Sequence, residues 1–222
     1  MLRRTRSLAL TLATTAFVLH TLATVAHTQQ AVSRGWALNA EGAVKVHGDA
    51  GSVRIIGWDR DSVAVTGTVA SISHFFAGGD RNGVKMGIET SGSPSKPSDL
   101  VVHVPARARV WVRSASANVD VSTFSGALDI STVGGTVHIQ STPTELRAES
   151  MNGTLDVTAS PTYLRLKSAT GAIMWNGSSD DVGIITVSGR VVAPVALLSR
   201  KYAGDANNAD ANQSLYVKGY TY

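Results

Sequence analysis

Three residues of this 222-residue chain combine type and spacing in a way that can do chemistry: Asp120, His138 and Asp156 follow one another at eighteen-residue steps. A carboxylate–imidazole–carboxylate ladder can hold a divalent metal or act as an acid/base pair, because all three groups are ligands and proton carriers. For that, the side chains must leave the same face of successive strands, at steps of about 4.8 Å. The other reading of the column is a charge-balanced ladder on a convex, wet face, without the enclosure and supporting hydrogen bonds that hold a metal site together. On that reading the chain has no metal site, no cofactor and no catalytic residue.

His74, Phe75 and Phe76 are the second candidates. They sit in residues 70–83, which read as a loop or lateral excursion. Paired exposed aromatics there can dock a protein, a glycan or a membrane surface, or fold back over a flank of the domain. Trp58 and Trp111 read as packing residues, and Trp175 as core. The chain contains no nucleophile elbow, phosphate loop, His-x-x-Glu-His pair or dinucleotide fingerprint.

The elements that must position these residues announce themselves by a nine-residue beat. Apolar residues fall at Val110, Val119, Leu128, Val137, Leu146, Leu155, Leu164, Ile173, Val182 and Val191. Each is followed two places later by another: Val112, Val121, Ile130, Ile139, Ala148, Val157, Leu166, Trp175, Ile184 and Ala193. With 43% apolar residues in the chain, chance produces such a run on the order of once in ten million. Each unit therefore reads as a short strand with residues i and i+2 facing a core.

A second period overlies the first. Gly135, Gly153, Gly171 and Gly189 recur every eighteen residues, as do Ser114, Thr132, Ser150, Ser168 and Thr186. The glycines read as one recurring tight turn at positive φ. The hydroxyls should point inward at the corner before it, bonding backbone groups that the turn leaves unpaired. Two strands and two turns in eighteen residues make one coil, so the expected fold is all-β, a single-domain β-solenoid with two short strands per coil. A β-sandwich with hairpins every nine residues is the alternative. In the coiled arrangement Asp129 should lie over Arg147, and Glu149 over Lys167.

Residues 1–26 read as a secretory signal peptide, with Arg3, Arg4 and Arg6 ahead of an apolar run that ends at Ala26. Threonines and His20 interrupt that run, which favours cleavage over anchoring and leaves no stable membrane span once the signal is removed. Removing these three of the 20 basic residues leaves 17 against 16 acidic ones. A net charge near +1 makes no electrostatic case for nucleic acid. Cysteine is absent, which excludes disulfides, thiolate catalysis and Cys-ligated zinc.

Downstream, 35–39 reads as a strand, and Val44/Val46 and Val53/Ile55 carry the beat. Val63/Val65 follow after a slip of one residue. Residues 84–89 and 100–105 read as strands, with 91–98 a surface connection. The beat stops after Leu198, so 27–199 is the expected solenoid domain. Residues 200–222 read as a polar tail in which Leu215–Val217 can add a capping strand.

The run Gly51-Ser52-Val53-Arg54-Ile55-Ile56-Gly57-Trp58-Asp59, followed by Val63-Ala64-Val65, resembles the opening of the putative-adhesin domain family of bacterial secreted proteins. That family is similar to the head domain of putative autotransporter adhesins. The units Ser150-Met151-Asn152-Gly153, Ser168-Ala169-Thr170-Gly171 and Thr186-Val187-Ser188-Gly189 match its recurring turn, and the match spans roughly residues 40–195. The resemblance implies a β-solenoid outside the cytoplasmic membrane and carries over no catalytic residue. The chain departs from the family after Leu198, where further turn units usually follow.

The expectation is thus an exported, non-catalytic surface, periplasmic or on the cell exterior, binding a protein or glycan in adhesin-like or structural fashion. The alternatives are a periplasmic regulatory or assembly partner of a membrane system, and a β-helix enzyme acting on polysaccharide.

Overall fold

The computed structural model describes residues 29–90 and 96–194. The signal segment 1–26, most of the 91–98 connection and the 200–222 tail, including Leu215–Val217, lie outside the described residues. The described chain is all-β, with no helix, and so none that is long and apolar enough to cross a membrane.

The described residues form seventeen strands in two mixed sheets. They are β1 (Gln30–Ala37), β2 (Ala43–Gly48), β3 (Gly51–Trp58), β4 (Ser62–Val69), β5 (Ser73–Gly79) and β6 (Gly83–Thr90). Next come β7 (Ser98–Pro105), β8 (Arg109–Ser114), β9 (Asn118–Ser122), β10 (Ala127–Thr132), β11 (Val137–Gln140) and β12 (Glu145–Ser150). The series ends with β13 (Leu155–Thr158), β14 (Tyr163–Ser168), β15 (Ile173–Asn176), β16 (Asp181–Thr186) and β17 (Val191–Val192). The first sheet runs β1-β4-β7-β3-β9-β11-β13-β15-β17, and the second β16-β14-β12-β10-β8-β2-β6-β5.

From β8 onward, successive strands alternate between the two sheets, and each pairs in parallel with the next strand but one. The register is constant: Leu128 lies beside Leu146, Leu146 beside Leu164, and Leu164 beside Val182. Across the gap, Val137 lies beside Leu155 and Leu155 beside Ile173. Every apolar pair of the nine-residue beat is buried except Val191, which is half-buried. The inward residues of both sheets form one apolar core. Parallel strands seldom face water, but here the connections are turns instead of helices, so each sheet keeps a polar outer face.

The recurring hydroxyls are buried, and four of the five bond at the corners. Ser150 Oγ accepts from the Gly153 amide at 2.8 Å, Thr186 Oγ1 from Gly189 at 2.8 Å, and Ser114 Oγ from Ala117 at 3.0 Å. Thr132 Oγ1 donates to the carbonyl of Gly134. Ser168 Oγ is buried with no hydrogen-bond partner.

The glycines require a correction. Of the four at eighteen-residue steps, only Gly135 has positive φ, at 81°. The other three are constrained by stacking. A Cβ on Gly153 would stand 1.9 Å from the carbonyl oxygen of Gly135, one on Gly171 2.0 Å from that of Gly153, and one on Gly189 2.1 Å from that of Gly171. Close backbone approach, not turn conformation, excludes a side chain there.

The N-terminal third departs from the parallel pattern. β4 runs antiparallel to both β1 and β7, and β5 antiparallel to β6. The stretch 70–83 is therefore no loop: β5 is an edge strand joined to β6 by a turn in which the Asp80 carboxylate accepts from the amides of Asn82 and Gly83. The 35–39 strand begins five residues earlier than expected, at Gln30.

Candidate functional site

The Asp120–His138–Asp156 column forms in register on the outer face of the first sheet, on β9, β11 and β13. His138 Nδ1 lies 3.1 Å from Asp156 Oδ2. The two side chains are 44% and 41% exposed, so water screens the pair. Among the described residues, no group of three or more histidine, aspartate or glutamate side chains converges to hold a metal. Asp120 shares the row without joining the hydrogen bond.

β5 separates the aromatic candidates. Phe75 turns inward and packs against the core. His74 and Phe76, two places apart, share the outer face of the second sheet; His74 is exposed and lies beside Glu89. The Phe76 ring sits beneath the ammonium of Lys85 at 5.6 Å and 6.2 Å from the His47 ring.

That outer face carries a larger feature. On β8, Arg109, Trp111 and Arg113 alternate with buried Val110 and Val112, so all three project outward. β2 adds Lys45 and His47 beside Trp111 and Arg113, and β6 adds Lys85 beside Lys45. Lys45 Nζ lies 5.9 Å from the centre of the Trp111 ring, which is half-buried on the sheet surface and not in the core. A hollow of about 520 Å³ is lined by Ala43, Lys45, His47, Arg109, Trp111 and Arg113.

Ion pairing leaves this cluster positively charged. Arg113 pairs with Asp129 at 2.7 Å, whereas Lys45, Lys85 and Arg109 have no carboxylate partner among the described residues. The field registers on His47, whose pKa is lowered below its ordinary value by burial and then by Lys85. Arg113 and Lys45 add to this, while a hydrogen bond to the Met86 backbone opposes it.

Farther along the same face, charges balance. Lys167 pairs with Glu149 at 2.9 Å, as the column reading expects. Asp129 does lie beside Arg147 in the sheet, but its ion pair goes diagonally to Arg113. Arg147 instead lies over the Tyr163 ring at 5.0 Å, and Arg165 over the same ring at 3.9 Å. Arg165 also binds Asp181 at 2.9 Å. The remaining tryptophans behave differently: Trp36 packs against the core, Trp58 stacks on His103 with ring centres 5.0 Å apart, and Trp175 is core, donating to the Ala159 carbonyl.

The sequence reading missed the basic cluster. Arg109-x-Trp111-x-Arg113 was a visible signal, since alternate residues of a strand share a face. Lys45 and Lys85 join it only through pairings far apart in the chain.

No family model matches the sequence, and no curated protein matches it. Solved structures show distant likenesses. A putative cell adhesion protein from Clostridium sporogenes has a TM-score of 0.44 at 8% identity, covering 70% of this chain and 75% of that one. A putative adhesin from Bacteroides fragilis has a TM-score of 0.27 at 13% identity, covering 75% and 96%. A putative lipid binding protein from Parabacteroides distasonis has 0.28 at 10%, covering 74% and 96%. At these scores the likenesses bear on neither activity nor partner.

Proposed function

We propose that the chain is an exported, non-catalytic module of the bacterial envelope that presents a rigid surface to a protein or glycan, in adhesin-like or structural fashion. Its architecture on this reading is a β-solenoid over residues 27–199, with a signal peptide at 1–26 ahead of it and the polar tail 200–222 behind. The observation that carries the reading is the constant register of β8, β10, β12, β14 and β16, in which every residue lies beside its counterpart eighteen places on. Main-chain pairing of that kind fixes outward side chains in straight rows before any partner arrives. Such aligned rows suit extended partners, because little backbone freedom remains to be lost on binding.

A glycan array and a pull-down screen with the full chain test this. Saturable retention of one glycan class or one protein without turnover is expected. Release of new reducing ends from a bound polysaccharide would replace it with the enzyme reading. Expression in a bacterial host tests export: the chain is expected outside the cytoplasm with a new N-terminus at His27, and cytoplasmic retention would remove the envelope from the proposal.

A further inference from the structure

We propose that the outer face of the second sheet binds a linear acidic polysaccharide, held by Lys45, Lys85 and Arg109 around the ring of Trp111. This deepens the binding-module reading and rests on it. The cations come from β6, β2 and β8, side by side in the sheet, so three strands distant in sequence build one site. Lys85, Lys45 and Trp111 form a straight row across these strands, at steps of about 4.8 Å. The row continues through Asp129, which is neutralised by Arg113, to Arg147. A ligand lying along it would run across the strands, down the stacking direction.

The chemistry of the site selects the ligand class. An arginine guanidinium presents a planar fork of donors that matches a carboxylate or sulfate, and lysine adds a mobile point charge. Ala43, beside Gly83 in the sheet, is the small residue of the lining, and Trp111 lines the hollow as well. An indole face offers apolar contact to the C–H face of a sugar ring. A chain of sugars with an anionic group on each unit carries both complements at intervals comparable with the strand spacing.

Two other polyanions fit less well. Single-stranded nucleic acid is gripped by several stacking aromatics in succession, and here the two aromatics of the cluster, Trp111 and Phe76, each already lie against a lysine. An anionic bilayer is bound by basic residues accompanied by apolar side chains that enter it. Among the described residues, the large exposed apolar ones are Val133, Met151, Met174, Val187 and Val192, none of them on β6, β2 or β8.

Calorimetric titration of the full chain at about 0.15 M salt, where distant charges are screened, tests the site. The probes are polygalacturonate, heparin, dextran, a mixed-sequence single-stranded DNA and phosphatidylglycerol vesicles. Polygalacturonate and heparin separate carboxylated from sulfated ligands, and at least one is expected to bind. Trp111→Ala and Lys45→Gln/Lys85→Gln are each expected to weaken that binding by about tenfold or more. Arg54→Gln, on the opposite face, is expected to leave it unchanged. The lysine variant alters only exposed side chains, so it reports on the site even where Trp111→Ala lowers stability.

Failure to bind either acidic polysaccharide, equal binding by the lysine variant, or tighter binding of DNA or vesicles would each overturn the proposal. Saturable binding of dextran alone would overturn it while leaving the binding-module reading intact. Cleavage of polygalacturonate or heparin would end the binding-module reading itself.

Discussion

Gly153 lies so close beneath Gly135 that a Cβ added to it would stand 1.9 Å from the Gly135 carbonyl oxygen. The backbone of Gly153 is not in the left-handed region, so the constraint is the approach of its backbone to that of Gly135. Gly153→Ala is therefore expected to destabilise the domain by about 1–3 kcal/mol or more, as overpacking does. Gly78→Ala, where a Cβ meets nothing within 4 Å, should cost much less. Urea melts of the two variants check this, and equal midpoints would show that the backbones do not meet at these glycines.

Two serines in the same structural position should respond oppositely to loss of the hydroxyl. Ser150 Oγ is the buried acceptor for the Gly153 amide at 2.8 Å. Ser150→Ala leaves that donor unpaired, at a cost of about 1–3 kcal/mol. Ser168 Oγ has no partner, so Ser168→Ala removes an unsatisfied polar atom and is expected to be neutral or stabilising. Thermal melts that rank the two variants the other way would contradict the assigned hydrogen bonding.

The contrast shows how far a sequence period reads. Leu128, Leu146 and Leu164 repeat because parallel stacking places equivalent residues side by side, and that equivalence is written directly in the spacing. Phe75 and Phe76 carry no such mark, because β5 is antiparallel to β6 and its register comes from the turn at Asp80, not from stacking. Straight-column logic places Asp129 over Arg147, yet Arg147 is drawn to the Tyr163 ring and Asp129 takes the diagonal partner Arg113. The basic face escaped notice because net charge sums over all surfaces. Asp99, Asp120 and Asp156 project from the first sheet, while Lys45, Lys85 and Arg109 project from the second.

His47 gives the fold a specific acid sensitivity. It is faced by Phe76 from β5, Lys85 from β6, Arg113 from β8 and Lys45 from its own strand. Burial first and these cations next hold its pKa below 6.5. The unfolded chain then takes up the proton before the folded one as pH falls. The stability that the neutral imidazole contributes is thus complete above the unfolded value and is lost as pH drops through 6.5 toward the lower folded value. Urea melts of the parent and His47→Gln, between about pH 7.5 and about pH 5.5, are expected to show a smaller loss in the variant. Equal losses would mean that His47 does not titrate against this field.

The Asp120–His138–Asp156 column separates a scaffold from a metal-dependent enzyme. His138 Nδ1 contacts Asp156 at 3.1 Å, but both side chains are more than a third exposed and Asp120 makes no bond to the ring. A metal there would be held by ligands that water can replace, without buried groups to fix their orientation. A ligand that binds only the folded state raises the melting temperature by mass action. Scanning calorimetry with and without millimolar calcium, zinc or manganese is therefore expected to show no shift. His138→Ala should change stability by less than about 1 kcal/mol, as for other exposed ion pairs. A metal-dependent rise of several degrees that disappears in His138→Ala would make the column a metal site and turn the functional reading toward catalysis.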